Sequence, residues 1–300
     1  MKTSLWTAIL ALVILTSCAS DPVDTGEGMK ATDTAAPAVG FTEEESRART
    51  ERRLQLERSM DQWWLAFQRQ EYGKSDGIAK ALEVYVNEHF SAVVGDLETA
   101  SPRFRKVAAA SLGFSGKQTA VPALLVALRD PFSDVLFGSL LSLWRLSLMP
   151  AGSISIPANE ITPFLSHGDP GIRSNAAMVM AHITKPGDGV LFLPLTAAME
   201  DNNAKVRLHA AAALGALGDP DAVPFLSKGL DDKMSLVRMR SALALGRIES
   251  RRALRPLVAH IEDPDVDVAK AVHKALMRIS GQKIDRIKND WENYIKNAEF

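Results

Sequence analysis

The chain has a single cysteine, Cys18, among its 300 residues. One cysteine excludes an internal disulfide, a CxxC redox pair and a cluster of thiolate metal ligands. The chain also lacks an excess of positive or negative charge, since it has 35 lysines and arginines and 36 aspartates and glutamates. The basic residues are spread over the whole chain. The totals therefore show none of the positive charge that nucleic-acid binding requires.

Histidine is scarce too, and the six histidines at positions 89, 167, 182, 209, 260 and 273 form no HExxH or HxxxH pattern and no His-Glu pair. The zinc sites built on such patterns are therefore not predicted. The chain also lacks a GxSxG elbow, a P-loop and a GxGxxG turn. We predict no catalytic residue, no metal site and no cofactor.

The apolar run from Leu5 to Leu15 is too short to span a bilayer. It follows Lys2 and ends just before Ser17 and Cys18. A charged start, an apolar core and a short segment before a cleavage site are typical of a signal peptide. Residues 1–17 are therefore predicted to be a signal peptide, and the mature protein is expected to leave the cytoplasm.

The segment Leu15-Thr16-Ser17-Cys18 resembles the lipobox of bacterial lipoproteins. The resemblance implies that Cys18 is lipidated and becomes the first residue of the mature chain, with an ordinary secretory signal as the alternative. Acyl chains contribute about 0.8 kcal/mol per buried methylene, so they anchor a protein that has no apolar surface of its own. In such lipoproteins an aspartate after the cysteine retains the protein at the inner membrane, and Ala19 at that position favours the outer membrane.

Residues 18–42 are rich in Ala, Thr, Asp, Gly and Pro, a composition typical of a flexible tether. Residues 43–100 are predicted to form a helical extension. Its first helix, at residues 43–71, has seven acidic and six basic residues and an apolar stripe formed by Leu54, Met60, Trp64 and Phe67. A second helix, Ile78–Phe90, is expected after a break at Gly73–Gly77.

Residues 101–281 repeat at intervals of about 30 to 40 residues. The clearest copies begin at Val206 and Val237, 31 residues apart. The glycine of Ala-Leu-Gly marks one position in every copy, which is occupied by Gly113, Trp144, Ala181, Gly215, Gly246 and Met277. Each copy pairs a helix that has proline in its first turn with a helix rich in small residues, which lets neighbouring helices approach closely.

This pattern predicts an all-α fold, an open right-handed solenoid of about six helix pairs. Residues 282–300 place four apolar residues at helical spacing, which are Ile284, Ile287, Trp291 and Ile295. We expect them to form a helix that caps the C-terminal end of the solenoid.

The repeats resemble HEAT repeats, in particular the short bacterial type described as PBS-lyase HEAT-like. The resemblance covers about residues 101–281 and rests on the run Val-Arg-x-x-Ala-Ala-x-Ala-Leu-Gly and on an aspartate six residues before an arginine. That pair occurs as Asp201 with Arg207 and as Asp232 with Arg238. In the family such residues form a ladder that ties one repeat to the next, so a structural role is implied, with direct partner contact as the alternative.

Other copies depart from the ladder pattern. Arg105 and Arg173 have no aspartate six residues earlier, while Asp130 precedes Leu136 and Asp263 precedes Ala269 at that spacing. The ladder is therefore expected to be incomplete.

In solenoids the second helix of each pair lines a concave groove. Counted from the marker, the positions six before, three before and one after it are expected to face that groove. The candidate partner-binding residues are Asn175, Met178, His182, His209, Arg240, Arg247, Lys274 and Arg278. Of these, Arg240, Arg247, Lys274 and Arg278 form a basic stripe, which predicts an acidic protein segment or an anionic envelope component as ligand, the alternative being a solvated face.

We therefore predict a membrane-anchored, periplasm-facing HEAT-repeat scaffold for protein–protein interaction in the cell envelope, without enzymatic activity and without nucleic acid as a partner. The alternative is an enzyme or enzyme subunit on a HEAT scaffold, similar either to the metal-dependent hydroxylases or to the bilin lyases of this fold. Bilin lyases act on cytoplasmic antenna proteins, which does not suit an export signal. A metal held between His182 and His209 of neighbouring repeats is the remaining route to a metalloenzyme.

Overall fold

The computed structural model describes residues 42–297. The predicted signal peptide, Cys18 and almost all of the predicted tether lie outside the described residues. Within residues 42–297 every regular element is helical and no strand is present, which confirms the all-α fold. The chain divides after Gly116 into two compact units.

The first unit contains four α-helices and a closing 3-10 turn, which are α1 Glu43–Gln68, α2 Tyr72–Glu88, α3 Phe90–Thr99, α4 Pro102–Ser111 and the turn Leu112–Ser115. The expected break at Gly73–Gly77 is wrong, because α2 begins at Tyr72 and includes both glycines. A glycine costs a helix interior about 1 kcal/mol. Burial of Leu82 and Val86, which expose 1% and 0% of their surface, outweighs that cost.

Helix α1 begins with a capping box, in which the Thr42 hydroxyl accepts from the Glu45 N–H and the Glu45 carboxylate accepts from the Thr42 N–H. Its buried side chains are Leu56, Met60, Trp63 and Ala66. The predicted stripe is wrong at Trp64, which remains 40% exposed. Trp63 takes the inward position and meets the ring of Phe114 edge-on at 5.1 Å.

A buried carboxylate ties α1 to α3 in this unit. Asp96 exposes 3% of its surface and accepts hydrogen bonds from Arg49, Arg52 and Arg53, the shortest at 2.7 Å from Arg53 Nη2. Arg52 and Arg53 follow Arg49 by three and four residues, so all three lie towards one face of α1, where like charges would repel each other without an anion. Asp96 supplies that anion, and its burial is tolerated because each carboxylate oxygen is hydrogen-bonded to a cation.

The second unit consists of five helix pairs, each a short outer helix followed by a longer inner helix. The outer helices are α5 Ala120–Ala127, α7 Ala158–Ile161, α9 Phe192–Ala198, α11 Val223–Gly229 and α13 Leu254–Ala259. The inner helices are α6 Ser133–Ser147, α8 Pro170–Ile183, α10 Ala204–Leu217, α12 Ser235–Ile248 and α14 Val266–Ser280. The copy marked by Gly113 lies in the first unit.

Consecutive inner helices pack directly on one another from α6 to α14. The marker glycines show how closely they approach, because a Cβ placed on Gly215 would lie 2.8 Å from Ala244 Cα, and one on Gly246 would lie 2.9 Å from Ala275 Cα. Real Cβ atoms do not come that close to a backbone atom. Glycine is therefore needed at these two markers because the neighbouring helix is close, and not because the backbone adopts an unusual φ angle.

A ladder of ion pairs links α8, α10 and α12 to the loops of the following repeats. The bidentate pairs are Arg173–Asp201, Arg207–Asp232 and Arg238–Asp263, with Nε–Oδ2 distances of 2.7, 2.6 and 2.8 Å. Each arginine also donates from Nη1 to the carbonyl six residues earlier in its own repeat. The expectation that the ladder fails at Arg173 and Asp263 is wrong. Arg173 pairs with Asp201 of the next repeat, and Asp263 pairs with Arg238 of the previous repeat.

The C-terminal helix α15 spans Lys288–Asn297 and packs against α13. Trp291 is fully buried, and its Nε1 donates to the carbonyl of Asp285 at 3.0 Å. The ring of His273 on α14 meets the Trp291 indole edge-on at 6.2 Å. Of the other residues in the predicted stripe, Ile284 and Ile295 are half-buried and Ile287 is 53% exposed.

Gly246→Ala is expected to lower the free energy of unfolding by about 1–2 kcal/mol, because forced separation of α12 and α14 outweighs the gain in helix propensity. Gly95→Ala is the matched control, since Gly95 lies in α3 and a Cβ there meets nothing within 4 Å. Urea unfolding of the two variants measures both effects. Equal stabilisation by the two substitutions would contradict the close approach.

Asp232→Asn is expected to lower the free energy of unfolding at pH 7 by about 2 kcal/mol, because it removes a charged, bidentate acceptor from Arg207. Burial alone would raise the pKa of Asp232, but hydrogen bonds from Arg207 and from the Met234 N–H hold it below the usual value. The pair's stabilisation is therefore complete above the unfolded pKa of about 3.9 and is lost as pH falls through the lower folded pKa.

Unfolding of wild type and Asp232→Asn from pH 7 to pH 3 measures this dependence, which should be shallower in the variant. Asp221→Asn serves as the control, because the Asp221 side chain pairs with Arg252 while remaining 77% exposed. A loss of stability as large in Asp221→Asn as in Asp232→Asn would show that the ladder pairs are ordinary surface contacts.

Candidate functional site

The inner helices present the predicted groove residues on one face of the second unit, hereafter the inner face. Asn175, His209 and Arg240 occupy the same repeat position on α8, α10 and α12. Because α8 packs on α10 and α10 packs on α12, this shared position places the three side chains in a row across the helices. His182 lies two turns beyond Asn175 on α8.

Three of these side chains lie close enough to act on one another electrostatically. Burial lowers the pKa of His209 to about 3, with the charges of Arg240, His182 and Lys205 adding to the effect. Burial and the charge of Arg240 also lower the pKa of His182. Arg240 on α12 thus acts on His182 on α8, across the intervening helix α10. His182, His209 and Arg240 form a cluster that holds one permanent positive charge beside two neutral imidazoles near pH 7.

His209 and Arg240 each keep part of their surface in contact with solvent, and His182 is exposed. The lowered pKa values therefore come from the crowding of protein atoms around the rings rather than from sealing inside the core. Burial lowers the pKa of Arg240 as well, although its guanidinium stays charged in any physiological solution. The cluster is accessible to solvent, and protonation of either histidine beside Arg240 is unfavourable.

Several buried N–H groups of the inner helices have no hydrogen-bond acceptor within the part of the chain that the structure describes. They are Trp144 Nε1 on α6, Asn175 Nδ2 on α8 and Arg240 Nε on α12. Trp144 and Asn175 expose only 5% and 9% of their surface. An unsatisfied buried donor costs roughly 1–3 kcal/mol, so a series of them on one layer of helices requires an explanation.

The structure corrects three members of the predicted groove. Asn175 and Met178 expose 9% and 8% of their surface, so they pack within the helix layer and offer little surface to a partner. Arg278 donates from Nε to Glu249 at 2.7 Å, which neutralises the C-terminal end of the predicted basic stripe. Arg247 and Lys274 are exposed. Of the four residues in the predicted basic stripe, Arg240 alone is partly buried among protein atoms. The sequence did not distinguish it from the other three.

A second concavity lies at the inserted loops of the second unit. It is a cleft of about 1150 Å³ whose lining includes Ile156, Pro163, Val190, Leu191 and Pro194. The charged pair in its wall, Arg173–Asp201, already belongs to the ladder. The cleft is lined mainly by apolar surface, and its polar lining residues include Asn159, His167, Lys185 and Asp188.

The described residues hold no group of three or more His, Asp, Glu or Cys side chains placed to bind a metal ion. His182 and His209 interact with each other, but their strongest charged neighbour is a cation. Among residues 42–297 no helix combines the length and hydropathy needed to cross a bilayer.

A family model described as HEAT repeats matches residues 192–277. No curated protein sequence matches the chain. An archaeal HEAT-like repeats protein from Thermococcus onnurineus is similar in structure, with a TM-score of 0.54 at 12% identity over 78% of this chain and 97% of that one. A designed armadillo repeat protein has a TM-score of 0.50 at 18% identity over 62% of this chain and 98% of its own.

Human deoxyhypusine hydroxylase in complex with glycerol reaches a TM-score of 0.39 at 20% identity, over 93% of this chain and 99% of that one. Similarities at these identities show the fold alone. The second unit is therefore a repeat solenoid of the HEAT and armadillo kind, and residues 192–277 carry its HEAT-like sequence.

Arg240→Gln is expected to raise the pKa of both His182 and His209, because it removes the positive charge that disfavours their protonation. In the wild type the folded His209 takes up a proton only near its pKa of about 3, whereas the unfolded residue does so near 6.5. The free energy of unfolding should therefore fall as pH is lowered from 6.5 towards 3.

NMR titration of the imidazole resonances measures the two pKa values directly. His209→Gln is the control for stability, since the variant should show a shallower loss between pH 6.5 and pH 4. A His209 resonance that titrates near pH 6.5 in the wild type would mean that the ring is solvated and the cluster is not formed.

Proposed function

We propose that the protein is a membrane-anchored HEAT-repeat scaffold that binds a protein partner in the cell envelope through its inner face. The observation that carries the proposal is the accessible surface of the consecutive inner helices, on which His182, Arg247 and Lys274 are exposed and Arg240 and Leu243 are half-buried. A repeat solenoid presents an extended surface on which a protein partner can make many contacts. Partner binding is the function that such a surface supports best.

The anchor belongs to the proposal as well. Lipidation of Cys18 would attach the folded units to a membrane through residues 19–41. Ala19 favours the outer membrane, with the folded units facing the periplasm.

Site-specific photocrosslinking in intact cells of the native producer tests the scaffold function. A photoreactive residue at Leu243, on the inner helix α12, is expected to capture a reproducible protein partner, which mass spectrometry then identifies. Leu193 on the outer helix α9 is the control, because it is 75% exposed and lies on the other layer of the unit. Equal capture at both positions, or no capture at Leu243, would contradict binding through the inner face.

The same cells test the anchor. The wild-type protein is expected in the membrane fraction, released by detergent and labelled by an alkyne fatty acid, whereas Cys18→Ala should lose the label and the membrane association. Metal analysis of the purified protein addresses the enzymatic alternative. Stoichiometric iron or zinc would favour an enzyme on the same scaffold.

A further inference from the structure

We propose that the cleft between the outer helices α7 and α9 binds an amphipathic monoanion of the fatty-acid class, with its apolar chain along the cleft floor and its carboxylate at Lys185. The cleft has a volume of about 1150 Å³, which is slightly above the usual range of about 300–1,000 Å³ for small-molecule sites. It opens in the outer layer of the second unit. The inference therefore goes beyond partner binding through the inner face and does not depend on it.

The cleft lies where the repeat departs from its usual length. The markers Trp144, Ala181 and Gly215 are 37 and 34 residues apart, whereas every other pair of consecutive markers is 31 residues apart. Both insertions line the cleft, the first through Ile156 and the second through Lys185. Insertions in repeat proteins form loops on one face, which is often the face that binds a ligand.

The first insertion is followed by a short outer helix, which leaves space in the outer layer. Helix α7 is a single turn, and the chain continues as a 3-10 turn at Thr162–Ser166. The opposite wall is α9, whose seven residues make it about 10 Å long. Leu165, Leu191 and Ala198 in the lining are buried, and Val190 at its edge is 86% exposed. A bound apolar chain would cover Val190.

The length of the cleft suits a medium-length alkyl chain. The C–C bond of about 1.5 Å advances an extended chain by about 1.25 Å per methylene, so about eight carbons span the 10 Å of α9. A standard protein–protein interface buries about 1,200–2,000 Å², which two turns of helix do not supply. The cleft is therefore suited to a small molecule rather than to a protein segment.

Hydrogen bonds hold both insertions in place. The side-chain amide of Gln118 donates to the Ser155 carbonyl at 3.1 Å and accepts from the Ser155 N–H at 2.6 Å. In the second insertion the Gly187 N–H donates to the carbonyl of Leu217, at the end of α10, at 3.4 Å. The walls are therefore formed before a ligand arrives, which removes the cost of ordering them on binding.

The charges in the lining favour an anion. Of the two carboxylates, Asp201 is paired with Arg173 in the ladder, and Asp188 accepts from the backbone N–H of Lys185 at 3.1 Å. Among residues 42–297 no carboxylate forms an ion pair with the exposed ammonium group of Lys185. A ligand carboxylate placed there gains a charge-assisted hydrogen bond without displacing an existing ion pair. A neutral ligand would gain only the apolar contacts.

Isothermal titration calorimetry with decanoate tests the proposal on the full-length chain carrying Cys18→Ala, which is expected to bear no lipid and so needs no detergent. The neutral 1-decanol and the cationic decyltrimethylammonium have the same chain length and serve as comparison ligands. Decanoate is expected to bind about fivefold more tightly than decanol, which is the effect of one exposed ion pair. Decyltrimethylammonium should bind most weakly.

Substitutions in the same chain locate the site. Lys185→Gln keeps the backbone N–H that Asp188 accepts, so it should weaken decanoate about fivefold and leave decanol unchanged. Ala197→Phe places a ring in the cleft from an exposed lining position and should weaken both ligands about tenfold or more. Lys233→Gln is the control, because Lys233 is an exposed lysine of a later repeat outside the lining. It should change neither affinity.

No binding of decanoate, equal affinity for decanoate and decanol, or tighter binding of decyltrimethylammonium would each overturn the inference. Decanoate binding that is unchanged in both Lys185→Gln and Ala197→Phe would also overturn it. Thermal unfolding shows whether each variant remains folded, and the comparison of the three ligands decides the charge preference without any substitution in the cleft. Photocrosslinking at Leu243 is a separate measurement, so the partner and ligand proposals can fail independently.

Discussion

The close approach of consecutive inner helices is the constraint on which the second unit depends. At Gly215 and Gly246 the backbone of one inner helix meets Ala244 or Ala275 of the next with no space for a Cβ. That spacing brings each ladder arginine within bidentate reach of the aspartate in the following repeat. It also lets Arg240 act electrostatically on His182 across a whole intervening helix. A wider layer would separate the ladder pairs and move His182, His209 and Arg240 away from one another.

Two kinds of polar group occur in this layer, and their energetics differ. The ladder carboxylates are saturated, since Asp201 and Asp232 each accept from an arginine and from a backbone N–H of the following turn. Such groups tolerate partial burial because every lost water contact has a replacement. The inner-face donors have no such replacement within the described chain. Because these donors are buried, they cost the layer stability and offer no surface to a ligand.

The sequence predicted what a strict repeat determines and missed what depends on tertiary contact. Helical periodicity and the repeat marker, which is glycine in two of the five copies, located all five inner helices of the second unit, because their burial pattern follows from one dominant period. The prediction that Trp64 faces inward on α1 was wrong by one residue, because Trp63 and Trp64 both fit an apolar stripe. The buried one is Trp63, which packs against the ring of Phe114. The predicted break at Gly73–Gly77 failed for a similar reason, because burial of Leu82 and Val86 outweighs a propensity measured without packing. The ladder partner of Arg173 was missed because the sequence pattern places the aspartate six residues earlier in the same repeat. The aspartate that pairs with Arg173 is Asp201 of the next repeat.

The candidate site shows the same division between local pattern and spatial context. Repeat counting placed Asn175, His209 and Arg240 at one position, and the direct packing of α8, α10 and α12 puts these positions side by side. It could not distinguish Arg240 from Arg278, because the ion pair of Arg278 with Glu249 joins two neighbouring helices and does not follow from the repeat position of Arg278. Repeat counting also could not identify Trp144 as a residue with an unsatisfied N–H, because that requires the positions of all nearby acceptors. Because small residues set the distance between neighbouring inner helices, the feature that holds the repeats together also sets the spacing of the side chains on the surface proposed to bind a partner.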